Sequence, residues 1–127
     1  MYKGNFKFML YRSCCSNTLG FAIEAEQYLY NNPTVSAIKS LSLVEIIIKK
    51  LYNQFPIKSL EEWNLNDILN NKDFSELINK SILELINEIS QNTNYLIEYD
   101  EDLDDDYKDI YALEILKKAY IIAYWFY

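Results

Sequence analysis

Phe74-Ser75-Glu76-Leu77-Ile78-Asn79-Lys80-Ser81-Ile82-Leu83-Glu84-Leu85-Ile86-Asn87-Glu88-Ile89 decides the fold. Phe74, Leu77, Ile78, Ile82, Leu85, Ile86 and Ile89 recur at the i, i+3, i+4, i+8 spacing of one helical face. Asn79, Lys80, Glu84, Asn87 and Glu88 fill much of the other face. Asp73, three residues before Glu76, has the form of a capping pair. The spacing therefore predicts one amphipathic helix from Asp73 that ends near Ser90 to Asn94.

Toward the N-terminus the same logic repeats. Ser59-Leu60-Glu61-Glu62 has the S-x-x-E form of a second capping box, and Trp63, Ile68 and Leu69 follow it. Asparagines at 64, 66, 70 and 71 make that region irregular, so short helical turns are expected there. Ile38, Leu41, Val44, Ile48, Leu51, Tyr52 and Phe55 trace a longer face that Pro56 stops. Ile46-Ile47-Ile48 is apolar nearly all round, the mark of a central helix. A strand over Leu43 to Ile48 is the local rival, because β-branched residues cluster there, but the apolar period on either side favours helix. That helix is expected to start at Thr34 or Ser36, after Asn31, Asn32 and Pro33 end the one before it. The earlier helix, capped by Thr18, sets Phe21, Ala22, Ala25, Tyr28 and Leu29 on one face. Asn5 caps a first short helix carrying Phe6, Met9 and Leu10.

Toward the C-terminus, Tyr95 to Tyr99 is a short aromatic segment, either a turn of helix or extended. A last helix starts between Asp104 and Asp109, where acids suit the positive end of the helix dipole. Ile110, Leu113, Leu116, Tyr120, Ala123 and Tyr124 are its expected inward face. Tyr120, Tyr124, Trp125, Phe126 and Tyr127 read as core closure, with a partner contact as the alternative. The sum is an all-α fold, a compact bundle of five or six helices, with 1–127 as one domain.

Composition agrees. Hydrophobic residues make up 50% of the chain and aromatics 16%, enough to bury a core. Gly and Pro number two each, too few for an all-β protein with many tight turns. There is no histidine, which removes the usual general base and the commonest metal ligand. The only cysteines, Cys14 and Cys15, are neighbours and poorly placed to bridge each other. Without histidine or a second cysteine pair zinc is not expected there, and small-residue packing at a helix break is the expected role. With no disulfide framework, a cytoplasmic location is expected. Residues Met1 to Leu10 lead into no signal-peptide apolar run. Ala119 to Tyr127 is too short for a membrane span, which needs about 20 residues.

Charge is the functional clue. Eight of the 19 acidic residues lie between Glu98 and Asp109, with Lys108 the only base among them. The rest of the chain balances, so the net charge of −7 sits in this one stretch. An EF-hand fails in it: starting at Asp100 or Asp102 puts Asp105 or Tyr107 where glycine is needed. The ligand position then falls on Tyr111 or Leu113. Two readings stand: a solvated loop feeding a helix, or a docking surface for a basic partner. The docking surface would use Tyr95, Tyr99, Asp100, Glu101, Asp102, Asp104, Asp105, Asp106, Tyr107 and Asp109, since tyrosine is enriched at interfaces. Glu24 with Glu26, and Glu61 with Glu62, fall on expected solvent faces and are not assigned catalysis. With only Gly4 and Gly20 there is no phosphate loop, and Lys39, Lys49, Lys50, Lys117 and Lys118 do not outweigh local acids. No enzymatic activity, cofactor, metal or direct nucleic-acid contact is expected.

Small size, focused acidity, missing histidine and a composition dominated by Ile, Asn, Tyr and Lys, typical of AT-rich genes, give the chain a resemblance in kind. It resembles immunity proteins of bacterial contact-dependent growth-inhibition and related polymorphic-toxin systems. That resemblance implies a cytoplasmic protein without enzymatic activity that binds one cognate toxin. A nuclease toxin has a positive cleft that an acidic, tyrosine-rich surface can occupy. The alternatives are a viral or phage inhibitor of host defence, either Bcl-2-like or an anti-CRISPR, and a homo-oligomer built through the aromatic tail.

Overall fold

The computed structural model describes residues 4–10, 16–55 and 64–127. Among these there is no strand. A 3-10 segment, Asn5–Leu10, precedes α1 (Ser16–Tyr28), α2 (Pro33–Gln54), α3 (Leu65–Leu69), α4 (Lys72–Leu77), α5 (Lys80–Glu98) and α6 (Asp105–Phe126). The all-α bundle expected from the apolar periods is what forms. The expected box at Ser59 to Glu62, Trp63, and the Cys14–Cys15 pair lie outside the described residues.

Helix α2 is the axis, packing against α1, α5 and α6. Ala37, Leu43, Val44, Ile47 and Ile48 are fully buried in it. Its start corrects the sequence reading: Asn32 and Pro33 open α2 rather than close α1. The Asn32 side chain accepts from the Val35 N–H at 3.3 Å, and Pro33 occupies the first helical position, where it needs no N–H partner. The buried face is also rotated from the expected one. Ser36 and Ser40 are buried while Ile38 is exposed. Ser36 can be inside because its hydroxyl donates to the Ala25 carbonyl at 2.6 Å. Ala22 and Ala25 face it from α1, and such small side chains let two backbones approach closely. Thr18 does not cap α1. It lies inside the first turn, buried, and accepts from Lys50 Nζ at 3.1 Å.

The single helix that the spacing predicts from Asp73 is broken in two. α4 stops at Leu77, Ile78 is extended at φ −106°, ψ 142°, and α5 starts anew at Lys80. Asn79 causes the restart, since its side chain accepts from the Ser81 N–H at 2.8 Å. The cap of α4 is Asn71, accepting from the Phe74 N–H at 3.0 Å, and not Asp73, which sits in the first turn. Phe74 meets Tyr52 at 5.6 Å and Phe55 at 6.0 Å, so α4 closes the end of the bundle where α2 terminates. Leu77, expected inside, is 53% exposed, and Leu85 is only half-buried. α5 also runs past Asn94 to Glu98, carried by buried Thr93 and Leu96.

The last helix begins where expected, on Asp104. Its buried line is Ala112, Ile115, Leu116, Ala119, Ile122 and Ala123. Ile110 and Tyr124, expected inside, are 63% and 64% exposed. The aromatic tail divides: Phe126 and Tyr127 pack on the core, whereas Tyr124 and Trp125 face outward. Among the described residues, no helix is long and apolar enough to cross a membrane.

Candidate functional site

The eight clustered carboxylates sit at the elbow between α5 and α6, which the backbone fixes tightly. The Tyr99 N–H donates to the Tyr95 carbonyl at 3.0 Å and ends α5. The Tyr99 carbonyl then accepts from Asp102 at 2.9 Å and Leu103 at 3.1 Å, turning the chain. Leu103 packs against the core and holds the turn down. Asp104 Oδ1 accepts from the Tyr107 N–H at 2.8 Å, the capping bond that starts α6.

This geometry divides the candidate residues by what their side chains do. Asp100, though its side chain is 46% exposed, has a structural job tying the elbow to α2 and α6. The Thr34 hydroxyl, in the first turn of α2, donates to its Oδ1, and Lys108 Nζ lies 3.4 Å from the same oxygen. The Thr34 hydrogen bond, more than the Lys108 charge, holds the Asp100 carboxyl below the usual carboxylate range. Asp104 serves as a cap, and Asp109 is half-buried. Glu101, Asp102, Asp105 and Asp106 remain exposed. Lys108, whose side chain is 15% exposed, is drawn onto Asp100, so the one local base is turned away from the exposed acids. Asp105 and Asp106 occupy the first turn of α6, where the helix dipole favours negative charge.

Four tyrosine rings form a continuous row across the two helices beside these acids. Tyr99 meets Tyr95 at 4.9 Å, Tyr95 stacks on Tyr111 at 5.5 Å, and Tyr111 meets Tyr107 at 5.0 Å. Tyr95, Tyr99 and Tyr107 are exposed; Tyr111 is half-buried in the middle. Its hydrogen bond with Tyr107, more than its burial or the neighbouring phenols, raises the Tyr111 phenol above its ordinary pKa. Sequence reasoning missed Tyr111. The available signal was its position four residues after Tyr107, which puts both rings on one face of α6.

Such a surface can do two things chemically. The carboxylates attract and orient a cationic partner from a distance. The phenol row offers flat ring faces to guanidinium or ammonium groups, and hydroxyls at the rim. Among the described residues, no group of Asp, Glu or Cys side chains is arranged to hold a metal ion. Glu26 departs from the expectation of a solvent face: burial raises its carboxyl above the usual range, and it is tied to the N-terminal segment. Compared with models of protein families, with curated proteins and with solved structures, the chain matches none.

Proposed function

We propose that this protein is an immunity-type inhibitor. In the cytoplasm it binds the basic cleft of a cognate toxin, a nuclease, and shuts out nucleic acid. The observation that supports this reading is the tyrosine row running beside Glu101, Asp102, Asp105 and Asp106 at one elbow. Acids alone would suit solubility. Acids flanking stacked phenols, with Lys108 sequestered, suit a desolvated contact with a positive surface. The charges raise the association rate, and the rings supply the anchoring energy.

The test uses the product of the adjacent gene, co-purified and then titrated at two salt concentrations. Four of the exposed acids are changed together, Glu101→Gln with Asp102→Asn, Asp105→Asn and Asp106→Asn. Asp100 and Asp104 are left alone because they hold the elbow. The expected result is a lower kon and a shallower salt dependence, since exposed charges are screened within about 8 Å at physiological ionic strength. Tyr99→Ala should cost at least about 2 kcal/mol of binding with folding retained, if that ring is an anchor. Unchanged affinity and unchanged salt slope in the fourfold variant would sink the mechanism.

A second reading rests on α6. Ile121, Tyr124 and Trp125 are exposed toward its end and would suit contact with another copy. Sedimentation of wild type against Tyr124→Ser separates it from the first: a dimer that the substitution dissolves assigns the aromatic tail to self-association.

A further inference from the structure

A cavity of about 660 Å³ opens between the 3-10 segment, the end of α1 and the middle of α6. This lies within the range of small-molecule sites, which are mostly apolar with a few placed polar groups. Phe6, Leu29, Leu116 and Tyr120 supply the apolar wall. The 3-10 segment is held there by its rings. Phe6 meets Tyr120 edge-on at 5.5 Å, and Phe8 meets Tyr120 at 5.7 Å and Tyr124 at 5.4 Å.

Glu26 is the acid of the lining. Its Oε2 accepts from the Asn5 N–H and from the Asn5 side-chain amide, each at 3.1 Å. Its Oε1 is buried, and no donor among the described residues reaches it. A half-buried carboxylate whose inner oxygen has no donor is costly. The cation of the lining does not relieve it. Lys117 stands 61% exposed at the rim and already pairs with Glu114 at 3.6 Å.

We propose that this cavity binds a small organic cation, an amine carried on an aromatic or branched apolar body. The body replaces water along the Phe6–Leu29–Leu116–Tyr120 wall. The ammonium need not touch Oε1: Glu26 is part of the lining and half-buried, so its charge acts on a cation in the cavity through less water than at an open surface. An anion of the same shape would meet the uncompensated carboxylate, and a neutral ligand would leave it uncompensated. The site is separate from the elbow, so it stands or falls independently of the inhibitor reading.

The test is an NMR titration of the full chain with three probes of one shape. These are phenethylamine, 2-phenylethanol and 3-phenylpropionate. The expected result is saturable binding of the amine, with methyl shifts at Leu29 and Leu116. The alcohol should bind about ten-fold or more weakly, a factor equal to about 1.4 kcal/mol, and the anion should not saturate. Glu26→Gln should reduce the amine to the affinity of the alcohol, while Lys117→Gln leaves the order unchanged. The three-probe comparison on wild type needs no variant to fold. Equal affinity for amine and alcohol, preference for the anion, or no saturation by any probe would each overturn the proposal.

Discussion

The protein contains two helix hairpins on one axis, and they are built by opposite means. In the first, α1 and α2 meet through Ala22, Ala25, Ser36 and Ala37, so closely that a serine hydroxyl reaches across to a backbone carbonyl. In the second, α5 and α6 meet through isoleucines and carry their tyrosines on the outside. Among the described residues each hairpin has one cross-helix ion pair, Lys39–Glu24 at 2.8 Å and Lys118–Glu88 at 2.9 Å. Those pairs are exposed enough to contribute at most about 1 kcal/mol and do not distinguish the two. The difference lies in where the large side chains went. The first hairpin also exposes large side chains, Tyr28, Tyr30 and Ile38, but among the described residues it builds no row of ring contacts from them. The second gathers its exposed tyrosines into one row beside the acids.

Core truncations should have the largest effects on the two hairpins. Ile86→Ala and Ile48→Ala remove fully buried side chains from the two hairpins. Each should cost about 2–5 kcal/mol by urea unfolding, the usual cost of a core cavity. If the two hairpins share one cooperative core, either substitution should lower the unfolding midpoint of both together. Next comes Ala25→Leu, which adds bulk where the first hairpin has no room and should cost about 1–3 kcal/mol. A bulkier residue on the outer face of the second, at exposed Ile97, should cost almost nothing. If Ala25→Leu were equally silent, the close contact of α1 with α2 would not matter to stability.

Smaller effects sharpen the elbow. Asp104→Ala removes the cap of α6 and should cost about 1 kcal/mol. Asp105→Asn removes only an exposed charge and should stay within about 0.5 kcal/mol. An Asp105 effect as large as that of Asp104 would make the acidic run structural and weaken the docking idea.

The pH dependence is the smallest effect, and its sign differs between groups. The Asp100 pKa is depressed in the folded protein, below the usual 3.8, so the unfolded chain binds its proton first. Its contribution is present above pH 3.8 and is lost as pH falls through the lower folded value. Glu26 and Glu45 are raised by burial above 4.5, so their folded forms hold the proton longer. Stability linked to them is full below pH 4.5 and falls as pH rises through their folded values. Asp100→Asn should therefore flatten only the acid limb of the stability profile, and Glu26→Gln only the limb above it. Denaturation midpoints across pH 2 to 7 would check both.

Much of this was legible because burial dominates helix formation. The isoleucines of α2 and α5 announce their helices, and Asp104 with two acids behind it announces the start of α6. What misled was asparagine. Asn32, Asn64, Asn71 and Asn79 each accept from a backbone N–H in the following turn and open a helix. In sequence they look like breaks or irregularity, because the same side chain favours turns as well as caps. The apolar period crosses the break at Ile78 undisturbed, since Ile78 is buried whether or not it is helical. The rotated face of α2 has a different cause. Serine reads as a surface residue until a carbonyl on a neighbouring helix takes its hydrogen bond, and that partner is distant in sequence. At the candidate site, composition located the elbow. It could not separate acids that hold the turn from acids left facing water, because Thr34 lies 66 residues from Asp100.

Lys108 has one more consequence. Between Lys80 and Lys117 it is the only lysine or arginine, so it is the only place trypsin can cut within the elbow. In the folded chain it lies inside α6 with its ammonium drawn onto Asp100, and a protease needs several residues of extended backbone. Cleavage after Lys108 therefore reports how often the hairpin opens, and a bound partner that closes over the elbow should slow it.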